Sequence, residues 1–284
     1  MKTRRIYFAT AIASLLIGFS ACKKNDTDAN AAKDEIETTI ELSTDQAIAD
    51  NLTEDANDIF LEAATDNGLT GQKPETATES TGILGCASVT ITPLIGFPKS
   101  IAINFGTGCT SGNGITRKGK ISITLSDSLR KPGSIAVLTF DGYFVNGFKK
   151  EGTVTWTNTS DAAVKEWQRK VENGKITAPT GKYWLHNSIK NVVQTEGYNT
   201  PRNFLDDAFS ITGSNSVTNA NGVTRNFAIK EALLKKTICE NIGKGKIELS
   251  GARHTAVIDY GNGECDRVAT ISIDGGTAIT ILLR

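Results

Sequence analysis

The 284-residue chain lacks most of the signatures on which a catalytic reading rests. His186 and His254 are its only histidines, and both sit in strand-like patterns without the neighbours of a triad or a ligand set. No G-x-S-x-G elbow and no H-E-x-x-H helix motif occurs. No C-x-x-C pair is found among the five cysteines, which argues against a zinc site. Aromatic residues make up only 7% of the chain, sparse for a carbohydrate-stacking surface. Trp156, Trp167 and Trp184 therefore read as core or cross-strand packing. The acidic pair in FLDDAF, Asp206-Asp207, reads as a turn before a strand. Beyond the N-terminus no segment approaches the roughly 18 apolar residues of a membrane span. These absences assign no catalytic residue, metal or cofactor, and the expectation is a protein that is not an enzyme.

What is present at the N-terminus is a targeting segment. Lys2, Arg4 and Arg5 precede an apolar run from Ile6 to Phe19, followed by small residues and Cys22. That order is a secretory signal peptide over residues 1–21. The stretch FSAC resembles a bacterial lipobox, whose cysteine is acylated, with Phe19 in a slot that usually holds Leu. The resemblance implies a lipid anchor at Cys22, each acyl chain adding about 0.8 kcal/mol per buried methylene. Lys23 at the second mature position, with the Lys-then-acidic run that follows, resembles surface-exported lipoproteins and implies the outer membrane, on its periplasmic face or at the cell surface.

The net charge of zero hides an opposition. Residues 26–80 carry 15 acidic residues against 2 lysines, whereas residues 81–284 carry 16 acidic and 24 basic ones. Such asymmetry points to interaction surfaces. Residues 22–42 read as a flexible tether. Ser43-Thr44-Asp45-Gln46 has the form of a capping box, and Ile48, Leu52, Ala56, Ile59 and Ala63 recur at helical spacing. Asn67-Gly68 supplies a stop. These signals predict a helix over about 44–66, either solvated and loosely packed or docked as an acidic arm on a basic face of the body. A linker over 69–82 completes an acidic unit, 43–82.

From residue 83 the period becomes two. ASVTIT, SIAINF, GKISITLS, SIAVLTFDGYF and GTVTWTN alternate apolar residues with small polar ones, as half-buried strands do. Further strands are expected at 164–171, 175–178, 182–194, 205–212, 223–230, 234–239, 245–250, 254–260, 267–273 and 277–283. Asn146-Gly147, Asn173-Gly174, Asn221-Gly222 and Asp274-Gly275-Gly276 read as hairpin turns. The connections are too short for crossover helices, so the expected fold class is an all-β antiparallel meander over 83–284. Sandwich, barrel and open half-barrel stay equally open.

Two stretches recur: NFGTGC ends at Cys109 and DYGNGEC ends at Cys265. Each closes a unit that a cysteine opens, Cys86 in one case and Cys239 in the other. Outside the cytoplasm these four cysteines are expected to form disulfides, with three possible connectivities. Cys86–Cys109 and Cys239–Cys265 are favoured, because each pair brackets neighbouring antiparallel strands. The Gly-x-Gly segments lie between strands rather than before a helix, so they read as tight turns rather than phosphate loops. A calcium loop from Asp259, Asn262, Glu264 and Asp266 has no counterpart in the first unit.

CASVTITP, FPKSIAINFGTGCT, TRKGKISITLS, LTFDGYFVNG, EGTVTWTN and DYGNGECD together resemble Bacteroidetes-type lipoproteins of uncharacterised function, over about residues 83–284. The resemblance implies an all-β lipoprotein and hands over no catalytic residues. Basic clusters are the better functional hint. Arg117, Lys118 and Lys120, and the pair Lys149-Lys150, are candidate contacts for an anionic envelope component or for the acidic leader itself. Lys235-Lys236 lies near another strand end. Nucleic acid is not an expected partner outside the cytoplasm. The leading expectation is a membrane-anchored structural or binding module. Its alternatives are a lipid or glycan carrier with an apolar concavity and an envelope glycan hydrolase.

Overall fold

The computed structural model describes residues 24–70, 82–112, 114–161, 163–200, 203–251 and 253–283, with helix side chains from residue 33 onward. The expected signal peptide, Cys22 and most of the linker lie outside the described residues. One helix, α1 (Lys24–Asp66), is followed by β1 (Ser88–Thr92), β2 (Lys99–Asn104), β3 (Cys109–Thr110), β4 (Thr116–Leu125), β5 (Ile135–Val145), β6 (Phe148–Asn158) and β7 (Glu166–Thr177). Then come β8 (Tyr183–Glu196), β9 (Ala208–Asn219), β10 (Thr224–Lys236), β11 (Lys244–Ser250), β12 (Thr255–Asn262), β13 (Val268–Ile273) and β14 (Ile279–Leu282). Each strand pairs antiparallel with its neighbour in one long meander, and β3 pairs off the path against β4. The path runs from β1 to β14 without closing, so the sheet is an open curved shell rather than a barrel.

The hairpins follow the local chemistry. Asn146-Gly147 joins β5 to β6 with φ of 47° and 85°, the positive values that a type I′ turn needs. Asp274-Gly275 does the same after β13, at 50° and 71°. Asn173-Gly174, expected as another turn, lies inside β7 instead, where the register against β8 shifts between Val171 and Gly174. A bulge asks for the same positive φ as a hairpin turn, so the dipeptide alone does not distinguish them. Segments 164–171 and 175–178 are therefore one strand. Likewise 223–230 and 234–239 fuse into β10 across two register shifts against β11.

These bulges bend the sheet. Register shifts occur in the pairings of β4 with β5, β5 with β6, β6 with β7 and β11 with β12. Glycine makes the close approach possible. At Gly119, φ is +84° and a Cβ would lie 2.1 Å from the carbonyl oxygen of Gly142. At Gly152, φ is +107° and a Cβ would lie 2.6 Å from that of Asn173. A bulge adds local twist, and its repetition from strand to strand curls the meander.

The helix fills the curl. It begins well before Ser43, and residues 24–42, expected as a tether, are helical. That stretch holds no glycine or proline to stop a helix. The capping-box residues lie mid-helix, where the Thr44 hydroxyl donates to the carbonyl of Ile40 at 2.9 Å. The stop is where expected: Leu69 N–H reaches back to the Ala64 carbonyl at 2.7 Å, with Gly68 at φ 67°. Every residue from 45 to 64 is buried, whatever its face. Of the two alternatives for this helix, the docked arm describes it, and docking goes as far as making it the core. Leu42, Leu52, Ile59 and Phe60 pack against inward residues such as Ile123, Leu138, Trp156 and Ile258 in one cluster.

Glu35 accepts from the Arg253 amide at 3.0 Å, and Glu41 pairs with Lys182 at 3.0 Å, so the helix enters beside the β11–β12 and β7–β8 turns. Just past its C-terminus, the Leu69 carbonyl accepts from the Leu129 amide at 2.9 Å in the β4–β5 loop, at the opposite end of the strands.

Both favoured disulfides are formed. Cys86–Cys109 spans 23 residues and Cys239–Cys265 spans 26, with Cα separations of 5.7 and 4.9 Å. Non-reducing peptide mapping should recover these two pairs, and a Cys86–Cys239 linkage would contradict the fold. Replacing either pair by alanine should lower unfolding free energy by about 3 kcal/mol in denaturant titrations. Phe60, fully buried and edge-on to Trp156 at 6.1 Å, should lose about 3–5 kcal/mol as Phe60→Ala.

Candidate functional site

The interior of the shell is charged. Lys190 on β8 donates to Asp50 at 2.6 Å, and Lys235 on β10 donates to Asp58 at 2.6 Å. Arg117 on β4 grips Asp55 through Nε at 3.0 Å and through NH2 at 2.5 Å. Arg169 on β7 makes a two-pronged contact with Glu54, one arm at 2.9 Å. All eight side chains are nearly inaccessible to water. Asp50, Glu54 and Asp58 recur every four residues, so they form one row along α1, with Asp55 beside it. Further bonds complete the layer. Tyr143 O–H donates to Asp55 at 3.1 Å, Trp156 N–H to Asn57 at 3.0 Å, and the Ile242 amide to Asn51 at 2.9 Å. Glu62 accepts from the amides of Ile83 and Leu84 at 2.9 and 3.3 Å, which ties the segment before β1 to the helix.

Burial and charge compete at each group. Burial raises the carboxyl of Asp58 to about 7, against the pull of Lys235. Burial opposes ionisation of Glu54 too, but Arg169, Lys190 and Lys235 together hold it below its ordinary value. Among the described residues, no carboxylate bonds Lys150. Its ammonium donates to the Thr53 hydroxyl at 2.9 Å and sits 5.2 Å from the Phe140 ring centre, and burial with Arg169 nearby lowers it to about 7. Burial, with Lys150 and Lys190, keeps His186 neutral, its pKa well below the ordinary value.

A cavity of about 230 Å³ opens beside this layer, lined by Asp55, Asp58, Glu62 and Arg117, with Leu205 and Ile238 at its rim. Its three helix carboxylates are already engaged by Arg117 and Tyr143, by Lys235, and by two backbone amides. The arrangement neutralises charge rather than presenting a free acid and base.

The sequence-predicted candidates divide between the two faces. Arg117 and Lys150 are not surface anion contacts. They are buried, because they share the inward phase with the apolar residues of their strands, and the anion that Arg117 meets is the acidic leader. Lys118 and Lys120 face outward, Lys118 resting 4.0 Å from the Phe144 ring centre. Lys149 faces outward and pairs with Glu151 at 2.8 Å. Trp156, Trp167 and Trp184 are buried in the packing, and His254 bonds Asp274 at 2.7 Å. Asp207 accepts from Gln194 at 2.7 Å after a short 3-10 turn over Phe204–Asp206, and burial raises its carboxyl to about 7.

The recurring stretches share one local device. Asn104 accepts from the Gly106 amide and Asp259 from the Gly261 amide, both at 2.9 Å. Both following aromatics, Phe105 and Tyr260, are buried. Asn262 and Asp266 likewise accept backbone amides two residues on, as turn caps do. Arg169, Lys190 and the acidic row of α1 were not singled out by sequence reasoning. The signal was available: Lys190 falls in phase with Trp184, His186 and Val192 along β8, and a cation at an inward position calls for a buried partner.

Removing one partner of a buried pair leaves an uncompensated charge. Lys190→Met should therefore cost about 3–5 kcal/mol, and the double change with Asp50→Leu should recover much of it in a thermal or denaturant melt. Lys150 supplies a pH test. Unfolded, it holds its proton to about 10.4, and folded it releases it near 7, so the unfolded state binds more protons between those values. Wild type should gain stability relative to Lys150→Met as pH rises through that window; parallel curves would sink this assignment.

Comparison with protein-family models, characterised proteins and solved structures finds no match to this chain.

Proposed function

We propose that this chain is a lipid-anchored lipoprotein of the bacterial cell envelope that works as a structural or binding module, not as an enzyme. The observation that carries the reading is the continuity of anchor and core. The described residues are helical from the first of them, Lys24, two positions past Cys22, and the helix runs on to become the centre of the shell. An acyl chain at Cys22 would thus be coupled to the whole domain by α1 rather than by a slack tether. Among the described residues no helix is long and apolar enough to cross a membrane, so the attachment proposed is the acyl group. The disulfides fit an oxidising compartment. The resemblance to Bacteroidetes-type lipoproteins and the lysine at position 23 favour the outer membrane.

The filled interior supports a module over a carrier. A carrier asks for an apolar concavity, and here α1 occupies it through four buried ion pairs. A hydrolase asks for carboxylates free to act, and those lining the cavity are engaged. The working surface is then the outer face and the loops. Lys118 and Lys120 remain as contacts for an anionic envelope component.

Metabolic labelling with a radioactive fatty acid tests the anchor. Label should enter the wild-type chain and the membrane fraction, and Cys22→Ala should lose both. A labelled Cys22→Ala chain, or an unlabelled wild type, would refute it.

A further inference from the structure

The loop between β1 and β2, Pro93-Leu94-Ile95-Gly96-Phe97-Pro98, carries the most exposed apolar side chains among the described residues. Leu94 is 87% and Ile95 is 91% accessible, and Phe97 is 39% accessible. Nothing in the shell covers them. Exposed apolar groups scattered singly need no explanation, but three gathered at one loop tip do.

The construction of the loop says what the tip suits. Pro93 and Pro98 carry no N–H to leave unsatisfied. Lys99, itself 6% accessible, turns its ammonium back under the loop and donates to the carbonyls of Pro93 and Leu94 at 2.5 and 2.8 Å. Backbone polar groups are what make an irregular loop unfit for hydrocarbon, because each unpaired group costs several kcal/mol there. Here two donors are missing by composition and two acceptors are filled by a buried cation. The ammonium also lies 5.6 Å from the Phe97 ring centre, which fixes the ring beside the brace. The neighbouring β4–β5 loop lies at the same end of the strands, since Lys99 pairs with Leu125. It carries Arg130, half-buried near Asp207, and the exposed Lys131, which pairs with Asp127.

We propose that this loop inserts into the surface of a lipid bilayer, with Leu94, Ile95 and Phe97 in the hydrocarbon boundary. A protein partner would need a complementary pocket for a convex tip of three side chains. A bilayer accepts such a tip without shape matching. The insertion goes beyond the proposed anchor and does not depend on it. The tip lies at the exit end of α1 and Lys24 at the entry end, separated by a 43-residue helix that spans about 65 Å. Anchor and tip would therefore touch membrane at opposite ends of the molecule.

The test places an environment-sensitive fluorophore in the full chain carrying Cys22→Ala, which removes the proposed anchor, at Ile95→Cys and, in a second sample, at Tyr183→Cys, which is exposed at the opposite end of the strands. Each is mixed with phosphatidylcholine vesicles, with and without nitroxide groups on the acyl chains. The expected result is blue-shifted emission and nitroxide quenching at position 95, and neither at 183. Leu94→Ser with Phe97→Ser should lower vesicle-dependent emission at 95 by about tenfold or more, given about 0.8 kcal/mol per buried methylene. Because only surface residues change, folding is checked by the unchanged disulfide map. A probe at 95 that stays water-like in the presence of vesicles overturns the proposal. So does a shift that needs no lipid and grows with protein concentration, which would assign the tip to a second copy of the chain.

Discussion

The fold depends on charge neutralisation between a helix and the sheet wrapped around it. Four carboxylates of α1 meet four cations from β4, β7, β8 and β10 in a layer that water barely reaches. Buried ion pairs are weak as net stabilisers, because desolvation offsets the attraction. Their force lies in what they forbid. Rotating α1 about its axis would turn the row away from its partners and leave up to four cations and four carboxylates unpaired in a dry interior, each loss amounting to about 3–5 kcal/mol. Apolar contacts from Leu52, Ile59 and Phe60 supply the burial, and the ion pairs select the face that α1 turns to each cation. The acidic leader and the basic body are thus the two halves of one core.

The rest of the architecture serves that enclosure. A flat meander of this length could not surround a helix. Glycine bulges at positions such as 119 and 152 let neighbouring backbones close up and curl the sheet. The segment before the first strand and two later loops are then tied down by other means. Cys86–Cys109 fastens the segment entering β1, and Glu62 holds the same segment through two amides. Cys239–Cys265 joins two loops at the exit end, and the carbonyl of Cys239 accepts from Lys235 at 2.7 Å, so this disulfide also braces the Asp58 pair. With the interior committed to α1, contacts with other molecules fall to the outer face and to the loops, among which the β1–β2 tip is the most exposed and the most apolar.

Much of this was legible in the residues. Period-two alternation marked the strands, Asn146-Gly147 and Asp274-Gly275 marked their turns, and Cys86, Cys109, Cys239 and Cys265 paired as their bracketing of strands implied. The stop at Asn67-Gly68 was equally plain. Other signals were ambiguous for stated reasons. Ser43-Thr44-Asp45-Gln46 satisfies the capping-box pattern but carries no instruction to break the helix before it. Asn173 adopts the positive φ that an Asn-Gly turn favours, at 52°, but in a bulge rather than a turn. Arg117 and Lys150 looked like surface cations because charge is normally solvated, and only their phase along β4 and β6 pointed inward.

By itself, then, the sequence determined the elements: one acidic helix with a defined end, an antiparallel meander, two cysteine brackets and an opposition of charge between leader and body. These are local properties, written in periodicity, turn chemistry and composition. The tertiary structure alone decided that the sheet stays open, that α1 lies inside it rather than against it, and that particular cations meet particular carboxylates. Those outcomes depend on curvature accumulated over many strands and on partners as far apart in the chain as Asp58 and Lys235. No short window of residues contains that information, because burial of a charge becomes tolerable only once its distant partner is in place.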